Sequence, residues 1–487
     1  METIATNMNP GKSTPRLRQL DDLPRPRGLP LVGNLLAIDL PRFHQQLEEW
    51  SQKFGPYYCL HFGRQTVLVI GDHQLVAGVM RDRPEGFRRT TRMNDVAEEM
   101  GIAAGVFAAN GEAWKRQRRM VMAGFDPAHV KSYFPSLLKV TRRLGGRWAK
   151  AAAAGAVIDL QADLMRFTVD AISGLAFGSD VNTLESDDDV IQRHLDKIFP
   201  AMFKRMFSAF PYWRYLKLPS DRQLDRSLVA VNAAVAAFIA QARARMQADP
   251  GLRERPNNLL EAMMAAADQE GSGIHDREVA GNVLTMLLAG EDTTANTLAW
   301  MIYLLTRHPP ALARASEEVR GICGDAAAFT LEQMAKLNYI EACAHETMRL
   351  KPVAPQIGLQ ALKDTTIGDI HVPRNTIVLC QIRHDGLNEN LVPQAMSFTP
   401  ERWLSDGGPS ASATSAKRIS MPFGAGPRIC PGRYLALLEM KMAMALLLGS
   451  FDIESVTTPD GREAREHLSF TMAPVGLRMR LRQRAAK

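Results

Sequence analysis

The stretch Phe423-Gly424-Ala425-Gly426-Pro427-Arg428-Ile429-Cys430-Pro431-Gly432 is the most informative part of this 487-residue sequence. A single cysteine stands in a glycine-rich turn, directly before an apolar segment with helical spacing. Because the N–H groups at a helix start stabilise an anion, this position favours the thiolate form of Cys430. Gly426 and Gly432 allow a close approach of the backbone, and Arg428 adds a cation. The stretch therefore predicts one soft ligand that is presented to a large, flat group.

The alternative interpretation of Cys430 is a structural cysteine in a tight turn, because free cysteines are commonly buried. The complete pattern argues against it. At average residue frequencies, its six fixed positions arise by chance in a chain of this length with a probability on the order of 10⁻⁵ or less. F-G-x-G-x-R-x-C-x-G resembles the haem-thiolate loop of the cytochrome P450 monooxygenases. The resemblance implies that Cys430 is the proximal ligand of a haem iron, where a thiolate favours O–O cleavage.

A second segment, Ala289-Gly290-Glu291-Asp292-Thr293-Thr294, lies inside an apolar run whose spacing predicts a helix from about Asp276 to Arg307. A carboxylate and a hydroxyl are costly there without hydrogen bonds. One interpretation is a polar pair that bonds to local backbone or water. The resemblance implies another: a distal oxygen groove, in which Asp292 and Thr293 relay protons during O2 activation. Gly290 is expected to leave room beside the helix backbone.

Glu346 and Arg349 share one face of a predicted helix, and Arg402 follows about fifty residues later. In isolation, Glu-x-x-Arg is a solvated ion pair of little value. The resemblance instead assigns Glu346, Arg349 and Arg402 to a buried structural triad behind the haem, with a role in folding and haem retention. Trp403 stands where phenylalanine is usual in the family, which we interpret as a packing change only.

Trp114 and Arg118 are four residues apart, so a helix places them on one face, and both can donate hydrogen bonds to an anion. A basic amphipathic helix is the alternative. By resemblance, Trp114 and Arg118 bind the haem propionates, and Arg428 adds a charge-assisted contact. Many family members carry an arginine at the position of Leu359, so propionate binding is expected to depend more heavily on those three residues here.

The resemblance implies haem b (iron protoporphyrin IX) as the cofactor, with Cys430 as the metal ligand. It assigns the following residues to cofactor binding: Trp114, Arg118, Ala289, Gly290, Phe423, Gly424, Arg428, Cys430, Gly432 and Ala436.

Helical spacing dominates from about Gly111 to Arg349, and a last helix is predicted from about Arg433 to Leu448. Two β-type runs, Tyr57–Phe62 and Thr66–Ile70, flank a glycine-containing turn and predict a hairpin. The fold class is therefore mainly α with a minor β portion. The resemblance, which covers Pro24 to Leu481, implies the cytochrome P450-like two-lobed single domain.

The chain contains no obvious interdomain linker. We predict a flexible N-terminal tail over residues 1–23 and a haem-thiolate catalytic domain over residues 24–487. The N-terminus has no apolar signal region, and no run of 18 apolar residues occurs. We therefore expect no membrane span and a cytoplasmic location, and we leave open whether the aromatic region Phe199–Tyr215 touches a membrane surface.

Composition excludes several classes of protein. The net charge of +7 is modest for this length, and without a basic patch interleaved with aromatic residues it argues against nucleic-acid binding. Five cysteines without a C-x-x-C pair argue against a disulfide scaffold or a zinc ribbon. No strand is followed by G-x-G-x-x-G, so a nicotinamide or flavin domain is not expected, and electrons should come from a separate protein.

The sequence thus predicts a monooxygenase of the soluble bacterial type that inserts one atom of O2 into an apolar small molecule, by hydroxylation or epoxidation. The expected donors are a ferredoxin or flavodoxin with an NAD(P)H-dependent reductase, docking near Lys115, Arg116 and Arg119. The alternatives are a peroxide-driven haem-thiolate enzyme and a non-catalytic haem-binding protein. Asp292 and Thr293 argue against the peroxide-driven enzyme, because family members that use peroxide often lack this pair. By position, the substrate pocket draws on these segments: Met93–Phe107, Leu288–Glu291, Val353–Ile357 and Thr471–Ala473.

Overall fold

Helices dominate the computed structural model, which describes residues 17–125, 127–186, 190–324, 328–404 and 416–484. The helices are α1 (Phe43–Phe54), α2 (His73–Arg81), α3 (Thr91–Glu99), α4 (Gly111–Gly124), α5 (Pro127–Ala153), α6 (Leu160–Phe177), α7 (Val190–Leu195), α8 (Ile198–Met206), α9 (Pro219–Ala248), α10 (Leu259–Ala267), α11 (Asp276–Arg307), α12 (Pro309–Ile322), α13 (Leu331–Lys336), α14 (Asn338–Leu350), α15 (Ala416–Ile419) and α16 (Arg433–Ser450). The strands are β1 (Tyr57–Phe62), β2 (Gln65–Ile70), β3 (Phe87–Arg89), β4 (Ile158–Asp159), β5 (Gln356–Ala361), β6 (Thr365–Ile367), β7 (Ile370–Val372), β8 (Ile377–Gln381), β9 (Phe451–Thr457), β10 (Glu466–Leu468), β11 (Met472–Pro474) and β12 (Arg478–Gln483). This confirms the prediction of a mainly α fold with a minor β portion.

Helix α11 crosses the interior with the bounds predicted from its spacing. At its start, the carboxylate of Glu278 accepts a hydrogen bond from the backbone N–H of His275 at 3.1 Å, which caps the helix. Its C-terminal half is buried on every face from Thr294 to Leu305. A helix that is apolar all round must lie in a protein core, because each fully buried Leu or Ile side chain contributes about 1.5–3 kcal/mol.

Two large hydrophobic cores meet along α11, which gives the two-lobed arrangement. Residues Ala295–Leu305 belong to one core together with α14 and α16. Residues Val279–Leu288 belong to the other, together with α6, α9 and α10. Because one helix serves both cores, the lobes form a single unit. The stretch 289–293 lies between the two cores.

The main sheet has five strands in the order β1-β2-β8-β5-β3. Its only parallel pair among the described strands is β2 with β8. The predicted hairpin is confirmed, with its second strand beginning one residue earlier, at Gln65. At the other edge, β3 pairs with β5 so that Arg89 lies directly opposite Leu359. Directly opposed residues project to the same face of a sheet.

Residues 17–23, which the sequence assigns to a flexible tail, contain a short helical turn and pack on the domain. The backbone N–H of Arg18 donates to the carbonyl of Asp369 at 2.8 Å, and the Arg18 guanidinium bonds to the Asp369 carboxylate. Leu23 is buried in the core beneath the five-stranded sheet. These contacts move the start of the ordered domain to residue 17 or earlier, while the tail prediction for residues 1–16 lies outside the described residues.

One helix of the described part, α9, is long and apolar enough to cross a membrane by length and composition. The survey of apolar runs in the sequence overlooked it. Its buried residues recur every three or four positions, among them Leu224, Leu228, Val231 and Val235, and they pack in the second core. That spacing is typical of a helix that lies on a protein core with one face.

Candidate active site

The cysteine loop before α16 is closed by a hydrogen bond from the backbone N–H of Cys430 to the carbonyl of Phe423 at 2.9 Å. Gly424 and Gly426 have φ angles of +75° and +71°, a region that strongly favours glycine. A Cβ on Gly426 would lie 2.6 Å from the Cα of Arg81, so a larger residue would not fit there. Gly426 therefore lets the loop pack against α2, and both glycines allow the turn that places Cys430 just before α16.

Cys430 differs from the other four cysteines, which are all buried, because it is partly exposed. Burial still raises the pKa of its thiol, while the N–H of Gly432 and the charges of Arg118 and Arg433 oppose the rise. The expectation that the helix start alone would favour the thiolate is therefore wrong. Desolvation outweighs the local dipole, and a bound metal ion would be needed to deprotonate the thiol fully.

The middle of α11 is accessible although the residues Met286–Leu288 before it and Thr294–Leu305 after it are buried. Ala289 is exposed, and Gly290, Asp292 and Thr293 are partly exposed. The predicted room beside Gly290 is occupied on one side: a Cβ there would lie 2.9 Å from the Ile172 side chain of α6. Gly290 thus lets α6 and α11 pack closely, which is a different role from the one predicted.

Asp292 and Thr293 have different hydrogen-bond partners. The Asp292 carboxylate accepts from the Asn296 amide at 2.8 Å and from the hydroxyl of Thr471, in the turn between β10 and β11. The Thr293 hydroxyl donates to the carbonyl of Ala289 at 2.7 Å. Burial raises the pKa of Asp292, and the bonds from Thr471 and Asn296 oppose the rise. A carboxyl with a raised pKa is suited to exchanging protons at physiological pH.

Contacts between α11 and α16 bring this segment close to the helix that follows the cysteine loop. Glu439 of α16 is buried and accepts a hydrogen bond from Thr294, and burial raises its pKa to about 8. Leu435 packs in the core that contains Leu287 and Leu288. The predicted cofactor residues Phe423, Gly424, Gly432 and Ala436 are all partly exposed around Cys430.

Four arginines form a second distinctive feature of the site. Arg428 donates to the carbonyls of Val106 and Ala109, at 3.0 and 2.8 Å, and its guanidinium lies 5.1 Å from the Trp114 ring centroid. Arg118 donates to the carbonyl of Ile429 at 2.8 Å. Burial and, to a smaller extent, the nearby charges of Arg83 and Arg118 together lower the pKa of Arg428 to about 9.

Burial lowers the pKa of Arg89, and the charges of Arg83 and Arg428 lower it as well. Arg89 therefore lies close enough to these two arginines to belong to the same cluster. Among the described residues, none of Arg83, Arg89, Arg118 and Arg428 forms an ion pair with a carboxylate. Buried cations without a counter-charge are unfavourable, so the cluster fits a ligand that carries carboxylates. The two propionates of haem b would have that chemistry, and Cys430 is the predicted soft ligand for its iron.

The sequence interpretation missed Arg89 and Arg83. Arg89 lies across the sheet from Leu359, the position at which many family members have an arginine. The cation absent from β5 is therefore supplied by the neighbouring strand. The only signal in the sequence was the pair Arg88-Arg89 at the end of a short strand, and it has no meaning until the β3–β5 register is known.

We predict that Arg89→Met increases the rate of haem loss about tenfold, because a charge-assisted contact is worth about 1.5–3 kcal/mol. The measurement is haem transfer from the purified protein to an excess of apomyoglobin. Arg88→Met is the matched control, since Arg88 bonds to the Thr91 hydroxyl at 3.1 Å and projects to the other face of β3. Equal rates for the two variants would contradict a role for Arg89 in holding the cofactor.

Glu346, Arg349 and Arg402 meet in the interior. The Glu346 carboxylate accepts two bonds from Arg349, at 2.7 and 2.8 Å, and one from Arg402 at 3.0 Å. The indole N–H of Trp403 also donates to it, at 2.8 Å. The interpretation of Trp403 as a packing change is therefore incomplete, because a phenylalanine could not make this bond.

Three aromatic rings pack together where the turn between β10 and β11 meets α8. Phe470, in the turn between β10 and β11, stacks on Phe199 of α8 with ring centroids 4.5 Å apart. Phe107, from the segment between α3 and α4, lies 6.2 Å from Phe470. The sequence analysis placed Phe107 in the pocket and singled out the aromatic region that begins at Phe199. It missed Phe470, which directly precedes the predicted stretch Thr471–Ala473.

The predicted docking charges are less available than expected. Lys115 pairs with Glu112 at 2.8 Å and with Glu85 at 3.2 Å. Arg116 lies 3.6 Å from Glu278. Intrahelical and neighbouring carboxylates thus neutralise two of the three basic residues, which weakens their attraction for an acidic donor.

Comparison with known proteins agrees with this geometry. A family model described as Cytochrome P450 matches residues 23–480. The chain is 26% identical over 432 residues to Protein LUTEIN DEFICIENT 5, chloroplastic, of Arabidopsis thaliana, which covers 87% of this chain and 71% of the relative. It is 27% identical over 461 residues to the mitochondrial 25-hydroxyvitamin D-1 alpha hydroxylase of Mus musculus, with 90% and 88% covered. It is 26% identical to a self-sufficient cytochrome P450 monooxygenase of Penicillium freii, covering 95% of this chain but 43% of that protein.

Proposed function

The chain belongs to the cytochrome P450 family, and from that premise we propose that it oxidises an apolar small molecule with electrons from a separate redox protein. As a member of this family it is a haem b-dependent oxidoreductase with monooxygenase activity, and it requires O2 and a source of electrons. The proposed reaction inserts one oxygen atom by hydroxylation or epoxidation. Water takes the other oxygen atom, with two electrons and two protons.

One observation carries the proposal: Ala289, Asp292 and Thr293 form an accessible stretch in the middle of α11, and α11 contacts α16, the helix that follows Cys430. Haem b held by the Cys430 thiolate supplies the activation of O2. Arg89, Arg118 and Arg428 would hold the propionates by charge, and the Trp114 ring supports the Arg428 guanidinium.

The protein's own part in the chemistry is to deliver protons and exclude water. The Asp292 carboxyl takes up a proton, which its raised pKa favours, and passes it to the Thr293 hydroxyl. Thr293 then donates toward the pocket in place of its bond to the Ala289 carbonyl. The rings of Phe107, Phe199 and Phe470 exclude water from the space above and favour an apolar substrate.

We assign the electron supply to a ferredoxin or flavodoxin with an NAD(P)H-dependent reductase. The 487 residues contain no motif for a nicotinamide or flavin cofactor, so the electrons must reach the haem from outside this stretch of sequence. A donor domain fused to the P450 is the second possibility to test, because a relative named self-sufficient extends well beyond the region that this chain matches. The cytoplasmic location and the bacterial type remain predictions. The relatives named above come from a plant, a mouse and a fungus, and two of their names specify organelles.

The test compares two electron sources on the haem-loaded protein. A panel of a fatty acid, a steroid and a terpene is first screened for spectral binding, and the binders are then incubated with hydrogen peroxide alone or with NAD(P)H, ferredoxin and reductase. We expect oxygenated product only with the reductase system. Product with peroxide alone would support the peroxide-driven alternative, and haem binding without product from either source would support the non-catalytic one.

In the same assay, we expect Thr293→Ala to lower the product formed per NAD(P)H about tenfold or more, because proton transfer by a positioned group typically contributes at least that much. Hydrogen peroxide should be released instead. Thr297→Ala is the matched control, because the Thr297 hydroxyl makes an equivalent bond to the carbonyl one turn earlier, at 2.8 Å. An unchanged amount of product per NAD(P)H in Thr293→Ala would contradict the role of Thr293 in the proton relay.

A further inference from the structure

The hydrogen bond between Thr471 and Asp292 joins two parts of the site that the proposed function treats separately. Thr471 belongs to the turn of the β10–β11 hairpin, and Asp292 belongs to α11. The Thr471 side chain is nearly buried, with 6% of the residue exposed, so water cannot easily replace it as a donor. The second bond to Asp292, from Asn296, lies within α11 and holds the carboxylate whether or not the hairpin moves.

Phe470, the neighbour of Thr471, has an unusual backbone. Its φ angle is +96°, which is strained for an aromatic residue. Such a conformation persists only when surrounding contacts hold it. Here the contacts are the stack on Phe199, the neighbouring Phe107 ring, the adjacent bond from Thr471 to Asp292 and the bond from the Ser469 backbone N–H to the Thr471 carbonyl at 3.0 Å.

In this structure, the stack of Phe470 on Phe199 and the hydrogen bond from Thr471 to the Asp292 carboxylate therefore occur together. We call this arrangement closed. Phe470 adjoins Thr471, which bonds to Asp292 beside the accessible residues Ala289 and Thr293, so an apolar ligand bound against this stretch of α11 would displace the Phe470 ring. Movement of Phe470 also moves Thr471, since the two are adjacent in a short turn. The Thr293 hydroxyl is meanwhile bonded to Ala289, so neither relay group faces the other in the closed arrangement.

We propose that the Thr471–Asp292 hydrogen bond is a latch that couples aromatic closure of the pocket to proton delivery. While the bond is intact, Phe470 covers the pocket and Asp292 is turned toward the hairpin. Substrate that displaces Phe470 breaks the bond, and Asp292 turns toward Thr293. Because Asp292 is the proton source of the relay, holding it at the hairpin slows the consumption of electrons and O2 while the pocket is empty. Loss of the Thr293 hydroxyl, by contrast, leaves that source in place and diverts its protons to hydrogen peroxide. This inference rests on the proposed role of Asp292 in the relay.

The test uses Thr471→Val, which keeps the side-chain volume and removes the hydroxyl, and Thr471→Ser, which keeps the hydroxyl. In haem-loaded protein without substrate, we expect amide hydrogen exchange over residues 468–473 to be about tenfold faster in Thr471→Val, the size of effect that loss of one hydrogen bond typically gives. Thr471→Ser should restore slow exchange. Thr366→Val, the same chemical change on the exposed face of the β6–β7 hairpin, is the matched control.

The second measurement is NAD(P)H oxidation with ferredoxin and reductase in the absence of substrate. We expect it to rise several-fold in Thr471→Val and to stay near the wild-type rate in Thr366→Val. Unchanged exchange in Thr471→Val would overturn the latch, and so would faster exchange without faster substrate-free oxidation. Failure of the wild-type protein to oxidise any substrate with the reductase system would count against the proposed function instead, because the exchange experiment does not depend on turnover.

Discussion

Glu346→Gln is expected to lower the free energy of unfolding by about 3–5 kcal/mol, the usual cost of removing one partner from a buried ion pair. Glu346 is completely buried, and the Arg349 guanidinium that it binds is nearly so. The amide keeps the volume of the side chain but removes the counter-charge that Arg349 has in the wild-type protein. Arg349 also donates to the carbonyls of Gly386 and Ala395, both at 2.6 Å, so the loss would loosen the loop that follows β8.

Denaturant unfolding of the haem-loaded protein measures the effect, and Trp403→Phe separates charge from hydrogen bonding. That change removes one neutral donor to the same carboxylate, so it should cost only about 1 kcal/mol. Glu401→Gln, at a half-exposed carboxylate 3.0 Å from Arg314, should cost less still. If Glu346→Gln were no worse than Trp403→Phe, the buried charges would not be what stabilises this cluster.

Features set by local periodicity could be predicted from the sequence. Helix α11 has the predicted bounds, and the β1–β2 hairpin differs by one residue, because apolar spacing and a glycine turn are properties of neighbouring residues. The start of the ordered domain could not be predicted in this way. The pairing of Arg18 with Asp369 joins residues that are far apart in the sequence, and no local pattern reports it.

The site residues that the sequence analysis missed are those whose role depends on contacts between distant parts of the chain. Arg89 joins the cation cluster through the register of β3 on β5, and Thr471 reaches Asp292 across the gap between a hairpin and a helix. Neither residue belongs to a short motif. The direction of the Cys430 pKa was also misjudged, because the helix start is visible in the sequence while the burial that outweighs it depends on the whole fold.

Cys430→Ser is expected to reduce product formation at least about a thousandfold while leaving the fold intact, which corresponds to about 4 kcal/mol in the barrier. A serine hydroxyl stays protonated at neutral pH and is a harder, weaker donor than a thiolate, so the electron donation that favours O–O cleavage is lost. The carbon monoxide complex of the reduced protein should absorb at shorter wavelength than the far-red band of a thiolate ligand. Cys323→Ser, at a buried thiol at the end of α12, should leave that band unchanged.

The spectrum of Cys430→Ser also discriminates between the interpretations of the site. A retained thiolate band would require another cysteine to reach the haem, but Cys59, Cys343 and Cys380 are buried in β1, α14 and β8, and burial raises the pKa of each thiol. That result would therefore contradict the assignment of the ligand. A shifted band with unchanged product would instead separate ligation from catalysis and favour a reaction that does not depend on thiolate donation. Only a shifted band together with lost product agrees with Cys430 as the ligand that makes O2 activation possible.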